Sequence, residues 1–127
     1  MRQAEFPDSV FAVDSIPHSW LFKRVKAVIH HGGAGTTAAG FRAGIPSIII
    51  PFHGDQPFWG QRVARLGVGP RPIPRRLLSV ERLTRAIEET TSNRMIIKNA
   101  ADLGMKIRDE DGIACAVAAI QGYLKTQ

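Results

Sequence analysis

Cysteine is nearly absent from this chain, Cys115 being the one among 127 residues. An internal disulfide is thereby excluded, and a reducing, cytosolic compartment is the expectation. Long apolar runs are also missing. None approaches the ~20 residues that a membrane-spanning helix requires, so no transmembrane segment is expected. The start, Met1-Arg2-Gln3-Ala4-Glu5-Phe6-Pro7, lacks the apolar core of a signal peptide. Acidic residues are few, 11 Asp and Glu against 17 Lys and Arg, for a formal net charge of +6. That balance favours an anionic partner such as a nucleotide, a nucleic acid or a membrane surface. The cations are scattered, however, with only Arg75-Arg76 and pairs such as Lys23-Arg24 adjacent, and no aromatic residues interleave with them. A nucleic-acid function is therefore not expected. Nor is a metal site: the histidines stand at 18, 30, 31 and 53, with no acidic pair spaced to complete a coordination sphere.

What remains is the composition of a soluble globular protein, 44% hydrophobic and 22% charged. A chain of this length forms one domain and buries roughly two-thirds of its unfolded surface. Its first half alternates strand and helix patterns. Val10-Phe11-Ala12-Val13 reads as a strand, Trp20-Leu21-Phe22 as a short helix, Ala27-Val28-Ile29 as a strand and Thr36 to Ala43 as a helix that Gly44-Ile45-Pro46 stops. Ser47-Ile48-Ile49-Ile50 is a continuous apolar run of the kind buried on both faces in a parallel sheet. Gln56 to Leu66 is a helix, and Val68 opens a short strand or loop through Pro70, Pro72 and Pro74. From Ser79, an N-cap with Arg82 in the capping-box position, the pattern is helical only: Leu83, Ala86 and Ile87 recur at helical spacing, and further helices are expected near Asn93 to Lys106 and Asp111 to Lys125. The fold class is α/β with a helical tail, without internal repeats.

The most informative segment is His30-His31-Gly32-Gly33-Ala34-Gly35-Thr36-Thr37, between the apolar run Ala27-Val28-Ile29 and a helix. Its glycines let the backbone turn tightly and approach a ligand, and Thr36 and Thr37 bring hydroxyls beside the free N–H groups of the helix's first turn. The residue types describe a seat for a phosphorylated ligand. Gly33-Ala34-Gly35-Thr36-Thr37-Ala38 also fits a dinucleotide fingerprint, with Asp55 twenty residues after Gly35. That fingerprint expects the acid at the end of the second strand, whereas Pro51-Phe52-His53-Gly54 intervenes here, which disfavours a nicotinamide dehydrogenase.

The run from Pro17-His18-Ser19-Trp20-Leu21-Phe22, through His30 to Thr37, to Gly44-Ile45-Pro46, Pro51 and Gly54-Asp55-Gln56-Pro57-Phe58-Trp59 resembles the nucleotide-sugar signature of the UDP-glycosyltransferases, and within them the sterol 3-β-glucosyltransferase branch. Ser79-Val80-Glu81-Arg82-Leu83 and Glu110-Asp111-Gly112-Ile113-Ala114 extend the likeness to nearly the whole chain. The resemblance implies a Rossmann-like C-terminal lobe of a two-lobed GT-B enzyme, a short parallel sheet flanked by helices with a helical C-terminal tail. It implies UDP-glucose as donor, no cofactor and no metal, and inverting transfer to a lipid hydroxyl such as a sterol's. His31, Gly33, Gly35, Thr36 and Thr37 are implied for the donor phosphates, His31 stabilising the departing diphosphate. Asp55 and Gln56 are implied for the sugar hydroxyls, and Pro17 and His18 for the uracil. Plant small-molecule glycosyltransferases carry a tryptophan and a glutamate where Ser15 and Ala39 stand here, so uracil stacking and that ribose contact are not implied at these positions.

No catalytic base is expected in the chain, because in such enzymes the acceptor and the base belong mainly to the N-terminal lobe. Residues 1–127 are therefore read as a single, partial nucleotide-sugar-binding domain, with the usual opening strands missing before Phe6. Two readings follow. One is a piece of a sterol-type glucosyltransferase. The other is a non-catalytic donor-binding subunit that a separate acceptor-lobe chain completes. The expected location is cytoplasmic and peripheral at a membrane. Among the remaining residues, His30 is expected to pack behind the turn, Trp20, Phe22, Phe58 and Trp59 to form core or pocket wall, and Cys115 to be a small buried residue. Arg75-Arg76 reads as a solvated pair, with anionic lipid as the alternative contact.

Overall fold

The computed structural model describes residues 6–125; Met1–Glu5, which carry most of the expected signal-free start, lie outside the described residues, as do Thr126 and Gln127. The elements are α1 (His18–Leu21), β1 (Val28–His30), α2 (Ala34–Ala43), β2 (Ser47–Ile49), α3 (Gln56–Arg65), a single 3-10 turn (Arg75–Leu77), α4 (Val80–Ser92), α5 (Arg94–Asp109) and α6 (Gly112–Lys125). β1 and β2 pair in parallel with Val28 opposite Ser47 and His30 opposite Ile49, and α2 is the crossover between them. All three residues of β2 are buried, which matches its unbroken apolar sequence.

The rest of the sheet is irregular for a local reason. Ser47 N donates to Val68 O and Ile73 N to Ile49 O, so residues 68–73 run beside β2 in the same direction. Pro70 and Pro72 have no N–H to give, and the segment does not complete a ladder. A side chain at Gly69 would strike the Ser47 carbonyl, which is why the approach is this close. One core cluster joins Phe41, Ile49, Val63, Val68 and Ala100; a second joins Ile48, Ile73 and Ala86. α5 packs along α2 and α4 and is capped by Asn93, whose Oδ1 accepts from Met95 N at 2.9 Å. Ser79 caps α4 by accepting from Arg82 N at 3.2 Å, as its sequence position indicates.

Three expectations fail, each through a missing neighbour. Val10–Val13 forms no strand: Phe11 is 90% exposed and the segment has nothing to pair with among the described residues. Cys115 is exposed, because every residue of α6 is exposed. Trp20 also faces outward, while Phe22 is buried as expected, Trp59 is half-buried, and Phe58, though exposed, lines a shallow pocket with Pro57, Gln61 and Arg62. Smaller shifts are that α2 begins at Ala34 rather than Thr36 and that β2 ends at Ile49.

Candidate functional site

The site is built at the C-terminal edge of the parallel pair, where β1 turns into α2. Gly32 makes the turn at φ +93°, and a Cβ there would lie 2.6 Å from Ile49 Cγ2 and 3.1 Å from the Gln56 carbonyl. Glycine is thus required twice, for conformation and for space. The same distances show that the turn rests directly on the start of α3. Gly33 is the N-cap of α2 and makes no side-chain cap, so no side chain among the described residues caps the first helical turn, Ala34 to Thr36. The N–H groups of that turn carry the positive end of the helix dipole. A Cβ built at Gly35 meets nothing within 4 Å, so the approach to these groups is open.

His31 is exposed, and its ring leans over Gly33 closely enough that a Cβ on Gly33 would lie 2.6 Å from Nε2. His30 points the other way. Its Nδ1 accepts from Gly32 N at 3.1 Å, which pins the turn and leaves the imidazole proton on Nε2. Burial, with smaller contributions from His31 and His18, lowers the His30 pKa from 6.5 to about 4. His30 is therefore neutral near pH 7. Its Nε2 is buried without a partner among the described residues.

Thr36 and Thr37 separate. Thr36 is half-buried and lines a cavity of about 580 Å³ together with Ser15, Ile16, His18, Ile29 and His30. Thr37 is fully buried and donates its hydroxyl to Gly33 O at 2.9 Å, so it secures the helix start from behind and offers no hydroxyl to the open side. This differs from the expectation for Thr37, and the reason is that its position on α2 faces the core. Pro17 is the N-cap of α1, and His18 stacks on Phe22 with ring centroids 4.6 Å apart. His18 thus lines the Thr36 cavity, and Pro17 stands next to it in the chain without lining the cavity.

Asp55 occupies the N-cap position of α3 but makes no cap bond; its Oδ2 accepts from Trp59 Nε1 at 2.9 Å and the residue stays exposed. Gln56 is buried, and its Oε1 accepts from Phe52 N at 2.8 Å and His53 N at 3.2 Å. Half of the Gln56 amide is therefore committed to holding the 52–55 loop, and only its NH₂ is left to offer. Sequence reasoning did not assign this bracing role, although a glutamine following an exposed loop acid is compatible with it. No group of three or more His, Cys, Asp or Glu side chains among the described residues is placed to hold a metal ion.

The edge therefore presents backbone donors and an imidazole on one side and a carboxylate and an amide on the other, with the two sides in contact at Gly32 and Gln56. The family model described as the Erythromycin biosynthesis protein CIII-like, C-terminal domain matches residues 2–114. The chain belongs to this family. Relatives include the sterol 3-beta-glucosyltransferase UGT80A2 of Arabidopsis thaliana, 51% identical over 118 residues that cover 92% of this chain and 18% of that protein. The chain spans less than a fifth of the length of that relative. Among solved structures, the glycotransferase of kitacinnamycin matches with a TM-score of 0.83 at 25% identity, over 94% of this chain and 31% of that one. The glycosyltransferase VinC, solved in complex with dTDP, matches with a TM-score of 0.75 at 27% identity, over 80% of this chain and 26% of that one. The fold is that of the C-terminal lobe of GT-B glycosyltransferases, and the α/β reading with its short parallel sheet holds.

Proposed function

We propose that this family member is the donor lobe of a UDP-glucose-dependent glycosyltransferase whose acceptor is a lipid hydroxyl such as a sterol's. The observation that carries the reading is the uncapped first turn of α2 beside His31, set directly against the loop that bears Asp55. The diphosphate is received by the N–H groups of Ala34, Gly35 and Thr36, where peptide dipoles and backbone donors converge on an anion. His31 lies over Gly33 at the mouth of that seat and donates to a phosphate oxygen. Asp55 accepts from sugar hydroxyls and the Gln56 NH₂ donates to one, while the cavity beside Pro17, His18 and Thr36 takes the uridine.

In the transfer step the acceptor oxygen attacks the anomeric carbon, the bond from that carbon to the phosphate oxygen breaks, and UDP leaves with the bonding pair. The fixed N–H donors and His31 stabilise the negative charge that gathers on the diphosphate. The proton of the acceptor hydroxyl passes to a base outside this chain. The lipid acceptor rests on the sterol glucosyltransferase relatives, and the nucleoside diphosphate on the chemistry of the turn and on the dTDP held by VinC. A cytoplasmic protein working at a membrane periphery accords with that acceptor.

The alternative, a donor-binding subunit completed by a separate acceptor-lobe chain, uses the same residues. Calorimetric titration with UDP and UDP-glucose tests the assignment. UDP binding should be lost in His31→Ala, and a preference for UDP-glucose over UDP should be lost in Asp55→Ala. Wild-type chain that is folded and binds neither ligand would refute the reading of the edge as a self-sufficient donor site.

A further inference from the structure

A second feature occupies the same edge, on the far side of the 52–57 loop. β2 and the parallel segment 68–73 both end there, so Phe52 and the 3-10 turn Arg75–Leu77 emerge side by side. The Arg75 guanidinium lies 5.0 Å from the centroid of the Phe52 ring. Together with Pro51, Pro57, Pro72 and Arg76 these residues wall a cavity of about 680 Å³. Next to it three apolar side chains within four residues are left in solvent: Leu77 is 42% exposed, Leu78 43% and Val80 79%, and Phe52 is 53% exposed. The surrounding sequence from Arg71 to Arg85 holds five arginines against one acid, Glu81. Exposed aliphatic and aromatic side chains beside Arg75 and Arg76 have the chemistry of a surface that inserts into the headgroup region of an anionic bilayer.

We propose that the face formed by Phe52, Arg75, Arg76, Leu77, Leu78 and Val80 docks on an anionic phospholipid membrane. Charge complementarity selects that occupant: the apolar positions alone would serve any partner, but the excess of guanidinium over carboxylate favours a surface dense in phosphate and carboxylate headgroups. The proposal rests on the donor-lobe reading for its purpose. It places the sugar-binding loop against the layer in which a lipid acceptor dissolves, because Phe52 and Asp55 share that loop.

Co-sedimentation of the chain with vesicles tests this. One set contains phosphatidylcholine alone and the other equal parts of phosphatidylcholine and phosphatidylserine. Binding to the anionic vesicles should exceed binding to the neutral ones and fall as salt is raised. Arg75→Ala combined with Arg76→Ala should weaken it roughly 25-fold, about fivefold for each arginine near the surface. A charge-matched control, Lys106→Ala with Lys125→Ala, should lose much less. Leu77→Ser with Leu78→Ser should reduce the binding that survives at high salt. Equal binding to both vesicle types, or a loss in the arginine variant no larger than in the control, would overturn the proposal. So would absence of binding to anionic vesicles, which would leave the face as a contact for the remainder of a longer glycosyltransferase. UDP titration of the arginine variant reports the donor site separately, and retained UDP binding also shows that the variant is folded.

Discussion

The central unit, from β1 through α3, and the two flanks, residues 6–16 and α6, contrast sharply. In the centre, the apolar residues of β2 and the inner face of α3 are buried: Ile48, Ile49 and Val63 are each 1% exposed or less. In the flanks, equally apolar sequence stands in solvent, with Phe11 at 90% and Ile113 at 81% exposed. The difference is one of partners. β2 has β1 on one side, the 68–73 segment on the other, and helices over its faces, whereas among the described residues no strand pairs with the outer edge of β1. In the parallel ladder Val28 and His30 direct their backbone groups toward β2, so those of Ile29 point outward, and Ile29 is 45% exposed. The centre covers the apolar residues of its sheet, whereas among the described residues those of the flanks are left exposed.

Substitutions at equivalent apolar residues of the two regions give the widest separation. Ile49→Ala should cost about 2–5 kcal/mol in a denaturant titration, whereas Ile120→Ala in α6 should stay within about 0.5 kcal/mol. A comparable loss at both positions would show that α6 is packed in solution.

Gly32→Ala should cost at least about 2 kcal/mol, from the positive φ and the contact with Ile49 Cγ2, and should weaken UDP binding because the turn that aims α2 must move. Thermal unfolding and calorimetry on one sample would separate the two effects.

A smaller effect concerns pH. His30 has a folded-state pKa near 4, below its ordinary 6.5, so the fold prefers the neutral ring. Its contribution is complete above pH 6.5 and is lost progressively as pH falls toward 4, where the folded form also protonates. Stability measured between pH 6.5 and 4 should decline in the wild type, and His30→Gln should flatten that decline. An unchanged slope would assign the acid sensitivity to other groups.

The same contrast explains what was legible in the sequence. The glycine turn, the doubly buried run Ser47–Ile49 and the Ser79 cap depend on local residues and near neighbours, so patterns within the chain reveal them. Val10–Val13, Trp20 and Cys115 are apolar by composition, but burial needs a covering surface, and composition does not say where that surface is. At the site, His31, Gly33, Gly35, Thr36 and Asp55 are found on the open edge. Thr37 and Gln56 are adjacent to it but turned to structural work, because one helix face and one loop claim their polar atoms. A motif specifies which residues gather; only the folded backbone decides which way each of them points. The bracing of the turn by His30 was visible in the sequence only as a residue expected to pack behind it.

The central claim is that the uncapped first turn of α2 receives the donor's diphosphate. Its most direct test is an NMR titration with UDP that follows backbone amides. The Ala34, Gly35 and Thr36 amide resonances should shift most as UDP saturates the chain, while the amides of α6 stay unmoved. Saturable UDP binding that leaves those three amides unshifted would contradict the account and place the phosphate elsewhere on the molecule.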